Sequence, residues 1–467
     1  MTARPDTSLA DLGALDLVAA YRDRRISPVE VTDAVIARID ASEPVLHALY
    51  AFDPERARAM AQASEARWAK GEPAGPIDGV PVTIKDNLAT KGDPVPLGTA
   101  ARDLAPAPVD APASARTREA GGVILAKTTM PDYGMLSSGL SSFHPLARNP
   151  WNTDLNPGGS SAGAGTAAAA GYGPLHIGTD IGGSIRLPAG WCGVVGFKPS
   201  FGRVPVDPPY LGRVAGPMTR TVADTALFMS VLSRPDPRDT MSLPPADLPW
   251  LDLESDVDGL RIGLVLECGV GAPVEPEVRA AIERAAGAFA AAGAVVEEAG
   301  PFLTREMLDG LDRFWRARAW SDVAPLPKEK REAILPYIHA WAESGRSLTG
   351  AEVYHGFSQI DAMRKAALAA TAPYDLLLSP VAPMPTYPAD WASPVNDWRR
   401  PFEHIGFTVA FNMSEQPAIS VNAGYTASGL PIGLQIVGPR FDDMAVLRAA
   451  AAYERMRGPQ KAWPTVG

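Results

Sequence analysis

The chain has 467 residues, 46% of them hydrophobic and 21% charged, with a formal net charge of −10. That composition is ordinary for a globular protein, and the acidic balance argues against a nucleic-acid or membrane-surface binder, either of which wants a basic face. Its two cysteines, Cys192 and Cys268, give neither a disulfide framework nor a zinc pattern and fit a reducing, cytoplasmic setting.

The start, "MTARPDTSLADLG", has no apolar h-region, so no signal peptide is expected. Residues 8 to about 70 read as helical. In "SPVEVTDAVIARIDASEP" Ser27 can cap, Pro28 suits the first helical position and Glu30 completes a capping box. Val31, Val35, Ile36 and Ile39 then share one face. "ERARAMAQASEARWAKG" reads as a second packing helix. Residues 1–70 are thus expected as a helical segment packed on a core formed by residues 71–467.

The character changes at residue 71. Val80–Ile84 is a short apolar run bounded by glycine and proline, which reads as a buried strand. "GGVILAKTTM", "PLHIG", "GLRIGLVLE", "YDLLLSPVAP", "PAISVNAG" and "PIGLQIVG" read the same way. Helical stretches lie near 275–293, 304–320, 351–371 and 442–457. The Ala/Gly run "AGAGTAAAAGYG" reads as a tightly packed buried helix, because it has no strongly hydrophobic span of bilayer length. Residues 233–251 are the best boundary candidate, but strands resume after them. The expectation is one large α/β domain, with a mixed central β-sheet covered by helices on both faces.

Three stretches carry chemistry. In "NPGGSSAG" two adjacent serines stand on a bare backbone, which fits either a flexible linker or a loop holding a catalytic serine. Gly159 to Gly163 formally matches a nucleophile elbow, but "NPWNTDLNP" before it cannot be the strand that motif requires. In "GTDIGGSIRLPAG" the amides of Ile181, Gly182, Gly183 and Ser184 can converge as an oxyanion hole, with Asp180 and Arg186 paired beside them. An ordinary glycine-rich turn with a structural ion pair is the plainer alternative. Lys85 closes an apolar run, where desolvation lowers its pKa and lets it act as a general base. Snorkelling, or pairing with Asp86, is the alternative there. The six histidines show no metal-ligand spacing.

Taken together, "DGVPVTIKDN", "AGGVILAKTTM", "NPWN", "NPGGSSAG", "GTDIGGSIRLPAGWCGVVGFKPSFGRVP", "GPMTRTVAD" and "GLPIGLQIVG" resemble the amidase signature family of serine hydrolases, with the core at about residues 76–220. The family's common GGSSGG form carries Ala162 here in place of one glycine. The resemblance implies Lys85 as base, Ser160 as a relay serine in a cis peptide after Gly159, and Ser184 as nucleophile. It implies hydrolysis of a C–N bond through an acyl-enzyme, with no metal or organic cofactor. The motifs leave the acyl group open. Met135, Leu136, Ser137, Phe143 and Trp191 are candidate pocket residues, with others from "RFWRARAW" and "SPVAPMPTYP". Their apolar character suits a small amide, aryl amide or carbamate. The loosely aligned loop 91–118 is expected near the substrate entrance. Two other functions stay open: a glutamine-hydrolysing amidotransferase A-type subunit that needs a partner, and a non-catalytic binding protein on the same scaffold. A monomer or homodimer is expected.

Overall fold

In the computed structural model, which describes residues 8–466, the N-terminal capping box is present. Ser27 Oγ accepts the Glu30 amide, Glu30 accepts the Ser27 amide, and the helix Pro28–Leu46 follows. The helix Pro54–Lys70 comes next, stopped by Gly71 in the left-handed region. Between them Leu49–Tyr50 forms a short strand, β1, so the N-terminal segment also enters the sheet.

The remaining strands are β2 (Pro81–Lys85), β3 (Val123–Thr128), β4 (Leu175–Asp180), β5 (Val195–Lys198), β6 (Val214–Thr219), β7 (Arg261–Leu264), β8 (Val295–Glu298), β9 (Leu376–Pro380), β10 (Ala418–Tyr425) and β11 (Pro431–Val437). Among the described residues these eleven strands make one mixed sheet, ordered β1-β3-β2-β4-β6-β5-β10-β11-β9-β7-β8. β2 lies between β3 and β4 and runs parallel to both, while β4 and β6 are antiparallel.

Alternation along a strand sends successive side chains to opposite faces, and here each face is packed. Leu376 and Leu378 of β9 join a cluster with Ile262, Phe289 and Val446, whereas Leu377 joins another with Trp315, Ile360 and Val409. The helices Pro276–Ala291 and Asp443–Met456 contribute to the first cluster, Arg305–Val323 and Gly350–Thr371 to the second.

The Ala/Gly run forms the helix Ala162–Ala170, and every residue in it is buried. Its small side chains are a packing requirement. A Cβ on Gly163 would run into the Ala48 carbonyl oxygen and the Thr129 amide. Inside loop 91–118 the structure adds a helix that the sequence reading left out, Pro112–Glu119.

Candidate active site

Lys85 is the last residue of β2, in the interior of the sheet, and its side chain is fully buried. Nζ lies within hydrogen-bond reach of Ser160 Oγ at 2.8 Å, Ser161 Oγ at 2.9 Å, Thr179 Oγ1 at 3.0 Å and the Thr179 carbonyl at 3.4 Å. All four acceptors are neutral. Asp86, the alternative partner, binds elsewhere: its carboxylate meets His144 Nε2 at 2.8 Å and accepts the amides of Leu97 and Gly98. Burial holds the Lys85 amine well below the ordinary lysine range, helped by the Arg213 charge and only partly opposed by Asp180 and Asp86.

Ser160 follows a cis peptide from Gly159. The loop is packed, and it is no linker. The Ser161 amide donates to the Ser184 carbonyl at 3.2 Å, joining the two serine-bearing segments. Gly134, at φ +71°, faces Ser160 so closely that a Cβ would lie 3.3 Å from Ser160 Oγ.

The turn after β4 is built on a buried ion pair. Arg186 Nη2 and Nε donate to Asp180 at 2.9 and 3.1 Å, and both side chains are fully buried. Arg186 also donates to the Thr408 carbonyl, Gln435 Oε1 and Asn412 Oδ1, and Asn412 Nδ2 returns to Asp180. Burial alone would raise the Asp180 pKa, but the Arg186 charge and these hydrogen bonds drive it far below the carboxylate range. Asp180 also takes the amides of Gly183 at 2.8 Å and Ile185 at 3.0 Å. The Gly183 amide is engaged by Asp180, which leaves the amides of Ile181, Gly182 and Ser184 without a partner among the described residues. Thr408 Oγ1 donates to the Gly182 carbonyl at 2.6 Å and fixes the peptide plane there.

Ser160, Thr179, Asp180, Ile181 and Ser184 line one cavity of about 150 Å³. Its walls are completed by Asn87, Leu97, Met130, Tyr133, Gly134, Met135, Arg213, Arg318 and Asp322. Of the pocket residues expected from sequence, only Met135 lies on it. Leu136 is packed in the second cluster, and the Ser137 carbonyl accepts the Tyr387 hydroxyl. Phe143 stacks edge-on against Tyr50 and His144. Trp191 packs against Tyr387 and donates to the Met384 carbonyl at 2.9 Å. Leu136 and Trp191 fill the core, which residue type alone does not separate from a pocket, while Ser137 and Phe143 are half-buried away from the cavity. The sequence reading missed Thr179 and Arg213. It named the "RFWRARAW" stretch, from which Arg318 reaches the cavity, and loop 91–118, from which Leu97 does. Thr179 stands inside the "GTDIGGS" motif, where a hydroxyl between a strand and a glycine turn was a usable signal; Arg213 had none.

The Amidase family profile matches residues 30–447. An acylamidase from Rhodococcus erythropolis is 34% identical over 96% of this chain and 95% of its own. The A-type subunit of a glutamyl-tRNA(Gln) amidotransferase from Synechococcus sp. (strain CC9605) is 33% identical over 94% and 96%. Among solved structures, a bacterial aryl acylamidase of the amidase signature family superposes with a TM-score of 0.87 at 32% identity, covering 95% of this chain and 96% of the other. A 6-aminohexanoate cyclic dimer hydrolase superposes at 0.86 with 28% identity, covering 96% and 98%. No described helix is long and apolar enough to cross a membrane. The chain belongs to the amidase signature family and is a hydrolase acting on carbon–nitrogen bonds.

Proposed function

We propose that this chain is an acylamidase that hydrolyses small amides through a Lys85–Ser160–Ser184 relay. The observation that carries the reading is the buried Lys85 amine. It touches Ser160 Oγ at 2.8 Å and has only neutral oxygens as neighbours, beside a cavity that Ser184 also lines. An ammonium held by uncharged acceptors in a dry site is costly, so the neutral amine is favoured. Neutral Nζ takes the Ser160 proton, Ser160 Oγ takes the Ser184 proton, and Ser184 Oγ adds to the amide carbonyl. The amides of Ile181, Gly182 and Ser184 receive the oxyanion. The proton then returns along the relay to the leaving nitrogen, which departs poorly unless protonated. Water cleaves the acyl-enzyme in a second, equivalent cycle. Asp180 and Arg186 position the oxyanion amides.

Apolar Leu97, Met130, Tyr133, Met135 and Ile181 on the cavity wall suit a small acyl or aryl group. Similarity to acylamidases supports a stand-alone enzyme. Comparable similarity to the A-type subunits of amidotransferases supports a second reading, ammonia release from glutamine for a partner enzyme. An acyl nitroanilide and an N-(nitrophenyl) carbamate test the first reading directly, since both release the same chromophore. Release by wild type and not by Ser184→Ala is expected, and the two rates rank amide against carbamate. Ammonia from glutamine with no nitroaniline from either compound would favour the second reading. Full activity in Ser184→Ala would overturn the relay.

A further inference from the structure

One wall of the cavity does not fit a purely apolar substrate. Arg213 stands just before β6, and Arg318 reaches the same cavity from the helix Arg305–Val323. Neither guanidinium has a carboxylate within ion-pair distance among the described residues. Arg318 Cζ sits over the Tyr210 ring, 4.0 Å from its centroid. Three nearby arginines are paired. On the same helix Arg316 is neutralised by Asp312 at 2.7 Å and Arg305 by Glu403 at 2.9 Å, and below the cavity Arg186 is neutralised by Asp180. Asp322, one turn beyond Arg318, is exposed at the rim and is not within ion-pair distance of it. With Lys85 neutral and Asp180 matched by Arg186, the cavity carries an excess positive charge on a protein whose net charge is −10.

Two guanidinium groups facing one partly enclosed space repel each other and gain from an anion placed between them. A planar guanidinium matches a carboxylate in particular. We infer that Arg213 and Arg318 form a carboxylate-receiving subsite, so that the amide hydrolysed here carries a free acid close to the scissile bond. This rests on the hydrolase reading of the same cavity and names its substrate class. Burial, and then the Arg318 charge, already hold the Arg213 pKa down at about 10, as expected for a cation without a counter-ion. A cavity of about 150 Å³ admits only a small molecule, so the acid must sit within a few bonds of the reacting carbonyl. The acid can belong to the acyl part or to the leaving amine.

Two matched pairs separate these arms: glutaryl against pentanoyl nitroanilide for the acyl side, and 4-acetamidobenzoate against 4-acetamidotoluene for the amine side. In at least one pair the acid is expected to show a kcat/KM higher by about tenfold or more, mainly through KM, on the scale of a charge-assisted hydrogen bond. The preference should shrink in high salt. The acid-to-neutral ratio should fall in Arg213→Met and in Arg318→Met, collapse in the double variant, and be partly kept in Arg213→Lys. A ratio near one in both pairs, or one that survives the double variant, overturns the subsite. Calorimetric binding to Ser184→Ala separates this from failure of the hydrolase reading. Binding of the acid and not of its neutral partner, with no turnover by wild type, leaves the subsite standing and removes the enzyme assignment. Turnover of the neutral compounds, with no binding of either acid, does the reverse.

Discussion

Lys85 acts as a base only while neutral, and its surroundings decide when that is. Burial without a carboxylate partner keeps its pKa well below 10.5, so activity should rise with pH along a limb set below the ordinary lysine range, then level off. A rate flat from mildly acidic to alkaline pH would contradict this. Lys85→Met should lower kcat by about 10²–10⁴-fold, the usual yield of a positioned base, with the fold kept by circular dichroism. Gly134 offers a finer probe. Its φ of +71° disfavours a side chain, and an alanine methyl there would press on Ser160 Oγ from 3.3 Å. Gly134→Ala should cost roughly ten- to a hundredfold in kcat by displacing the relay serine; unchanged kinetics would show that Ser160 needs no such clearance. Much of this constellation was legible in the motif residues. The engagement of the Gly183 amide was not, because it depends on where Asp180 points. Arg213 was also invisible, since an arginine beside a strand reads the same whether a carboxylate faces it or not.

At the scale of elements, the turn after β4 holds its shape through Asp180 and Arg186, which are joined across the chain to Asn412 and Gln435. Arg186→Met strands a buried carboxylate and should destabilise the protein by about 3–5 kcal/mol, read by urea denaturation. A loss under about 1 kcal/mol would mean that Asp180 is solvated or neutralised by other means. The long amphipathic helices and the apolar strands β2, β3, β9, β10 and β11 were readable, because periodicity and flanking glycine or proline mark them. β5 and β6 were not. "VGFK" and "VAGPMT" are short and broken by glycine or proline, and they are strands because β10 and β4 pair with them. The helix Pro112–Glu119 escaped for a similar reason. Its face is only modestly apolar, and packing rather than propensity fixes it. Leu136, Ser137, Phe143 and Trp191 lie off the cavity that Ser184 lines, and residue type beside a motif does not separate core from cavity.

Across the whole molecule, the interior also encloses titratable groups outside the site. His176 and His404 are buried, and each pKa is lowered to about 3, chiefly by desolvation. The unfolded chain protonates them near 6.5 and the folded chain does not, so their stabilising contribution is full above that pH and falls as pH drops toward 3. The loss should reach roughly 2 kcal/mol per histidine by pH 5. Neither ring nitrogen of His404 has a hydrogen-bond partner among the described residues, whereas His176 bonds Thr83 and the Gly173 carbonyl. His404→Phe should therefore flatten the acid limb of the Tm-against-pH curve without lowering Tm at pH 7; an unaltered limb would mean that other groups govern it. In the proposed relay Ser184 attacks and Ser160 passes its proton to Lys85. The most direct measurement is peptide mapping after a fluorophosphonate label, on wild type, Ser184→Ala and Lys85→Met at neutral pH. The relay predicts the adduct on Ser184 in wild type, no adduct in Ser184→Ala, and much slower labelling in Lys85→Met. An adduct on Ser160, or labelling that ignores Lys85, would contradict it.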